Sequence, residues 1–139
     1  MTRISQSVVS AMYKAKNKTP SSGLGDLRPY AEHLQEACGY SISQVTGVPS
    51  AERQNVYADT TPIELSPNGS HTVFLNGEFD NFATPQDARD YADRVRRRGD
   101  SAETVVLPGA SHFDEVSITS PSWRVVLGVI RSAVGLEKK

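Results

Sequence analysis

Residues 71–109 read HTVFLNGEFDNFATPQDARDYADRVRRRGDSAETVVLPG, and the period of the apolar residues changes twice within them. Val73, Phe74 and Leu75 are consecutive and the run ends at Gly77, which predicts a short strand buried on both faces. Thr84 then stands as an N-cap before Pro85, with Asp87 in the first turn. Ala88, Tyr91, Ala92 and Val95 follow at i, i+3, i+4 and i+7, one apolar face of a helix that Arg96, Arg97, Arg98 and Gly99 close. Three successive arginines invite a phosphate-binding reading, but cations at a helix C-terminus complement its dipole, and the expectation is a solvated run. The stretch AETVVLPG predicts a second strand, with Val105, Val106 and Leu107 as its buried core and Pro108-Gly109 as its stop. Strands that alternate with amphipathic helices imply a parallel sheet with right-handed crossovers.

Outward from this unit the pattern weakens toward the N-terminus. On the C-terminal side, Ser120 and Pro121 begin a last helix with Trp123, Val126, Leu127, Ile130 and Val134 as its buried stripe, and Gly135 ends it. Residues 1–43 read as a helical, irregular segment. ISQSVVSAMYKAK could form a helix with Ile4, Val8, Met12 and Ala15 on one side, ended by the turn-rich NKTPSSGLGD, and DLRPYAEHLQEACG forms a short helix stopped by Gly39. No buried strand is expected there. Residues 44–70 read as an irregular connection with one helical turn near Glu52 to Ala58. The expected organisation is therefore α/β, a parallel β-α-β-α unit within residues 44–139, preceded by the 1–43 segment.

Composition narrows the classes of partner. The chain of 139 residues has a formal net charge of -1, so no global field recruits nucleic acid or an anionic membrane. Cys38 is the one cysteine, which excludes an internal disulfide and a multi-cysteine zinc site and agrees with a reducing compartment. No run approaches the roughly 18 apolar residues of a spanning helix, and the N-terminal residues lack the apolar stretch of a secretory signal. A cytoplasmic protein is expected.

In a parallel sheet, catalytic groups collect in the loops at the carboxyl ends of the strands. Two loops hold that position: NGEFDNFATP, with Glu78 and Asp80, and PGASHFDEV, with His112. If the strands are neighbours, Asp80 can meet His112, and an acid that orients an imidazole is the supporting half of a hydrolytic triad. The plainer reading of Asp80 is a cap on the following turn. Asp114 and Glu115 read as solvated or locally hydrogen-bonded groups, since no second cluster would complete a metal site with His112, and no metal is assigned. His33 and His71 show no partner pattern and receive no role, and Trp123 reads as core packing.

The pieces YADTTPIELSP, VFLNGEFDNFATPQDARDYADRVRRRGD, VVLPGASHFDEV and SPSWRVVLGVI, in this order, resemble the C-terminal part of an α/β-hydrolase, in the esterase and lipase branch that includes kynurenine-formamidase-like enzymes. The resemblance covers about two thirds of the chain, from Gln44 to Gly135. It implies Asp80 as triad acid, His112 as general base, an acyl ester or amide as substrate, and no metal or organic cofactor. One element of the family pattern is missing: no G-x-S-x-G nucleophile turn occurs in the chain. TPSSG around Ser21 lacks the first glycine and GYSIS around Ser41 lacks the second. Ser41 also follows a helix rather than a strand, and the glycine-rich oxyanion loop is absent. Three readings stand: a partial hydrolase with little activity of its own, one chain of a split hydrolase whose partner brings the serine, or a non-catalytic interaction module. Either residues 1–43 cover the exposed sheet edges, or a partner chain or second copy does.

Overall fold

The computed structural model describes residues 18–21 and 25–136, and the expected helix over ISQSVVSAMYKAK lies outside them. Three parallel strands form one sheet in the order β1 (Lys18–Ser21), β2 (His71–Gly77), β3 (Ser101–Leu107). Lys18 to Ser21 pair with His71 to Phe74, and His71 to Gly77 pair with Ser101 to Leu107 without a slip. Among the described residues four α-helices accompany them: α1 (Ala31–Cys38), α2 (Ile42–Thr46), α3 (Pro85–Arg97) and α4 (Trp123–Ala133).

The sheet is covered on both faces, as the continuous apolar run of β2 requires. Successive side chains of a strand point to opposite faces, so Phe74 joins Ala88, Ala92, Val95, Ala102 and Ile63 on the α3 side. Leu75 joins Leu107, Ala110 and Val126 on the α4 side. Tyr91 meets Phe74 edge-on, with ring centroids 4.8 Å apart. Thr84 and Asp87 form a reciprocal capping box at the start of α3: Asp87 N–H donates to Thr84 Oγ1 at 3.2 Å, and Thr84 N–H donates to Asp87 Oδ2 at 3.0 Å. Strand β2, helix α3 and strand β3 thus match the pattern that their sequence sets.

Four expectations are corrected. A strand does lie within residues 1–43: β1, of sequence KTPS, has no apolar run to announce it and forms because β2 offers a parallel edge. Its Pro20 suits an edge strand, where a missing N–H is tolerated. Helix α2 was expected to be irregular chain, although S-I-S-Q carries the capping-box spelling, and the Ser41 N–H donates to Gln44 Oε1 at 2.8 Å. Val105 and Val106 are only half-buried, because β3 is an edge strand. Helix α4 begins at Trp123, after a turn closed by Trp123 N–H to Ser120 O at 3.0 Å, and fully buries only Val126. Val134, expected in its stripe, is the C-cap residue after Ala133 and is 43% exposed.

The arginine run also departs from a simply solvated face. Arg96 donates to the Ala102 carbonyl at 2.5 Å, and Arg98 donates to the carbonyls of Ile63 and Ser66, while Arg97 remains exposed. These guanidinium forks tie the end of α3 to the start of β3 and to the 63–66 segment. Among the described residues, no helix is long and apolar enough to cross a membrane.

Candidate active site

The loops after β2 and β3 open on the same sheet edge, and main-chain bonds join them. Glu78 N–H donates to Leu107 O at 3.0 Å and Phe79 N–H to Ala110 O at 2.9 Å, while Glu78 Oε2 accepts from Gly109 N–H at 2.9 Å. Gly77 makes this approach possible: a Cβ there would lie 2.6 Å from Ala110 O and 2.7 Å from Ser111 O. Asn76, buried at the end of β2, anchors the far side of the acid loop by donating from Nδ2 to Ala83 O at 2.9 Å.

Asp80 serves two ends with its two oxygens. Oδ1 accepts from Phe82 N–H and Ala83 N–H, each at 2.9 Å, which closes the turn before α3. Oδ2 lies 2.8 Å from His112 Nδ1. Asp80 thus caps the following turn, as its plainer reading expects, and also meets His112. Its carboxylate is wholly buried, whereas the His112 side chain is 31% exposed. An ionised carboxylate can only accept, so with Asp80 ionised this contact sets the imidazole proton on Nδ1 and leaves Nε2 as the acceptor nitrogen. Phe82 and Phe113 pack edge-on against the ring at centroid distances of 5.1 and 4.9 Å and limit its rotation.

Glu115, expected to be a solvated or locally hydrogen-bonded group, lies close to this pair. It sits in the short 3-10 turn Asp114–Val116 and is 5% exposed rather than solvated. One ligand atom from each of Asp80, His112 and Glu115 lies within 4.8 Å of the others, a donor set that could hold a divalent cation in competition with the Asp80–His112 hydrogen bond. The signal was the i+3 spacing from His112, which a single helical turn brings back to the same side. Asp114 points elsewhere: its Oδ2 accepts from the N–H and hydroxyl of Ser111 at 2.8 and 2.9 Å. Those bonds, the main-chain one first, hold its carboxyl below the usual range.

Of the two candidate serines, Ser41 is not bonded to His112. The Ser41 hydroxyl is engaged at the N-cap of α2, 2.9 Å from Ser43 Oγ and 3.2 Å from Gln44 Oε1. Ser21 is the last residue of β1 and is paired with Phe74, so its backbone stops three residue rises, about 10 Å, short of the level of Gly77. Among the described residues, no serine hydroxyl is hydrogen-bonded to His112. The Phe82 ring connects the site to residues 25–43, lying 5.8 Å from His33 and 6.4 Å from Tyr30 between ring centroids.

No family model matches the chain, and no curated protein is significantly similar to it. Solved structures of esterase 2 from the planctomycete Thermogutta terrifontis share its fold. The form phosphonylated by sarin aligns with a TM-score of 0.54 and 15% identity over 88% of this chain and 46% of that one. The propionate-bound form gives 0.53 and 16% over 88% and 44%, and the native form 0.51 and 16% over 86% and 43%. The chain spans less than half the length of these structures. At such identity the likeness concerns the fold, and the chain has a partial α/β-hydrolase-like fold.

Proposed function

We propose that this chain is a partial α/β-hydrolase of serine esterase or amidase ancestry, of the kynurenine-formamidase-like branch. In this reading Asp80 is the triad acid and His112 the general base, and residues 44–139 carry both. The observation that supports it best is the 2.8 Å contact of the buried Asp80 Oδ2 with His112 Nδ1, at the carboxyl ends of neighbouring parallel strands. In such a pair, Nε2 accepts the proton of an attacking serine, the imidazolium is stabilised by the carboxylate, and the proton then passes to the leaving alcohol or amine. Small acyl esters and amides are the substrate class, and the chemistry uses neither metal nor organic cofactor.

The sequence has no G-x-S-x-G turn, and among the described residues the dyad has no nucleophile in a strand-to-helix elbow with the oxyanion donors that accompany one. Turnover by the isolated chain is therefore negligible. Four apolar side chains in the two site loops favour completion by a second polypeptide: Phe79, Phe113, Val116 and Ile118 are 67%, 75%, 68% and 73% exposed. A partner that seats its own nucleophile strand beside the dyad would cover them.

Steady-state hydrolysis of p-nitrophenyl butyrate by the folded chain and by His112→Ala tests this reading. Equal, background-level rates are expected. Sustained turnover that disappears in His112→Ala would show that a serine of this chain completes the triad and would overturn the partial-enzyme assignment.

A further inference from the structure

The opposite end of the sheet brings together a second set of chemically suited side chains. We propose that Ser101 is a nucleophilic hydroxyl, activated by His71 and Glu103, that takes up an acyl group from activated carboxylic esters. This inference is independent of the Asp80–His112 dyad, which lies six residue rises, about 20 Å, along β2 from His71.

The parallel register creates the arrangement. His71 and Ser101 open their strands as direct partners, and Glu103 lies two residues along β3, on the same face as Ser101. His71 Nδ1 is 2.7 Å from Ser101 Oγ, and His71 Nε2 is 3.3 Å from Glu103 Oε1. One tautomer satisfies both contacts: the ring proton on Nε2 is donated to Glu103, and Nδ1 accepts the Ser101 hydroxyl proton. That is the nucleophile, base and orienting acid sequence of a hydrolytic triad, with the two imidazole nitrogens exchanged relative to the His112 site. The group is open to reagents, because the side chains of His71 and Glu103 are 32% and 60% exposed.

The surroundings also limit what this hydroxyl can do. The main-chain N–H groups of the adjoining turn are engaged: Asn68 and Gly69 donate to Asp100 at 2.8 and 2.9 Å, and Ser70 donates to Asn68 Oδ1 at 2.9 Å. None is left to bind a developing oxyanion, so only esters with good leaving groups react, and the acyl group is retained. In the step with p-nitrophenyl acetate, a bond forms from Ser101 Oγ to the acyl carbon and the bond to p-nitrophenolate breaks. The hydroxyl proton moves to His71 Nδ1 and then to water, and p-nitrophenolate departs as the anion.

The test is a time course of acetylation of the full chain by p-nitrophenyl acetate, read by intact mass and by peptide mapping. The expected result is one acetyl group on the peptide carrying Ser101, formed faster than on the exposed serines Ser43 and Ser50 of the same molecules. His71→Asn should slow it on the order of 100-fold, Glu103→Gln should slow it less, and Ser101→Ala should remove it. The within-molecule comparison needs no variant and so stands even if a substitution unfolds the strand ends. Acetylation of Ser101 no faster than of Ser43 and Ser50, or an unchanged rate in folded His71→Asn, would overturn the proposal and leave an ordinary cross-strand contact.

Discussion

Gly77→Ala is the substitution that most directly probes how the acid strand and the base loop are joined. The added Cβ would lie 2.6 Å from Ala110 O, 2.7 Å from Ser111 O and 2.8 Å from Ala110 C, all of them main-chain atoms. Restoring ordinary contact at 3.4 Å requires a displacement of about 0.8 Å, and no rotamer change can supply it, because backbone must move. The bonds from Phe79 N–H to Ala110 O and from Gly109 N–H to Glu78 Oε2 resist that movement. Overpacking of this kind costs about 1–3 kcal/mol, which in a domain of this size lowers the melting temperature by at least about 3 °C. Since residues 110 and 111 lead directly into His112, the Asp80 contact should lengthen as well. Thermal denaturation followed by circular dichroism measures the first effect, and the imidazole signals of His112 in nitrogen-15 NMR measure the second. Gly128→Ala is the matched control: nothing lies within 4 Å of its added Cβ in the middle of α4, so helix propensity should raise stability by about 0.5–1 kcal/mol. A Gly77→Ala protein as stable as the parent, with His112 signals unchanged, would refute the close-approach reasoning.

Three further outcomes follow from the packing and the caps. Leu107→Ala removes a fully buried side chain from the α4-side core and should cost about 2–5 kcal/mol in chemical denaturation. Thr84→Ala breaks one arm of the α3 capping box and should cost about 1 kcal/mol, with the sheet-edge contacts unaffected. Burial works against ionisation of Asp100, but the N–H groups of Asn68 and Gly69 and the Ser66 hydroxyl outweigh it and hold its carboxyl below the usual range. A carboxyl lowered by folding stabilises above its unfolded value, near pH 4, and that contribution is lost as pH falls through the folded one. Acid unfolding of Asp100→Asn should accordingly show a shallower loss of stability below about pH 4, and an unchanged acid limb would count against this clamp.

The parts that sequence reading recovered are those in which local and tertiary signals agree. Val73 to Leu75, the Thr84 cap and the Ala88 to Val95 stripe each carry their own periodicity, so β2 and α3 were legible to within a residue. The meeting of Asp80 with His112 was legible because parallel neighbours put their carboxyl-terminal loops on one edge. Strand β1 was not, because KTPS becomes a strand through pairing with β2 and not through its own composition. The depth of burial of Val105 and Val106 depends on which strand lies at the sheet edge, a property of the assembled fold that no window of sequence contains. The burial of Glu115 near His112 and the His71–Ser101–Glu103 contact escape the sequence for a related reason: each is set by a turn or a register that must exist before the side chains can meet.

The central claim is that Asp80 fixes His112 as a base with its Nε2 open toward a nucleophile. Long-range proton–nitrogen NMR of the uniformly nitrogen-15-labelled chain, with His112 assigned by the His112→Ala spectrum, reads which ring nitrogen carries the proton in the neutral form. The account predicts the proton on Nδ1 in the parent chain, and its redistribution toward the solvent-preferred Nε2 form in Asp80→Ala. A neutral His112 protonated on Nε2 in the parent, with a spectrum indifferent to Asp80→Ala, would contradict it.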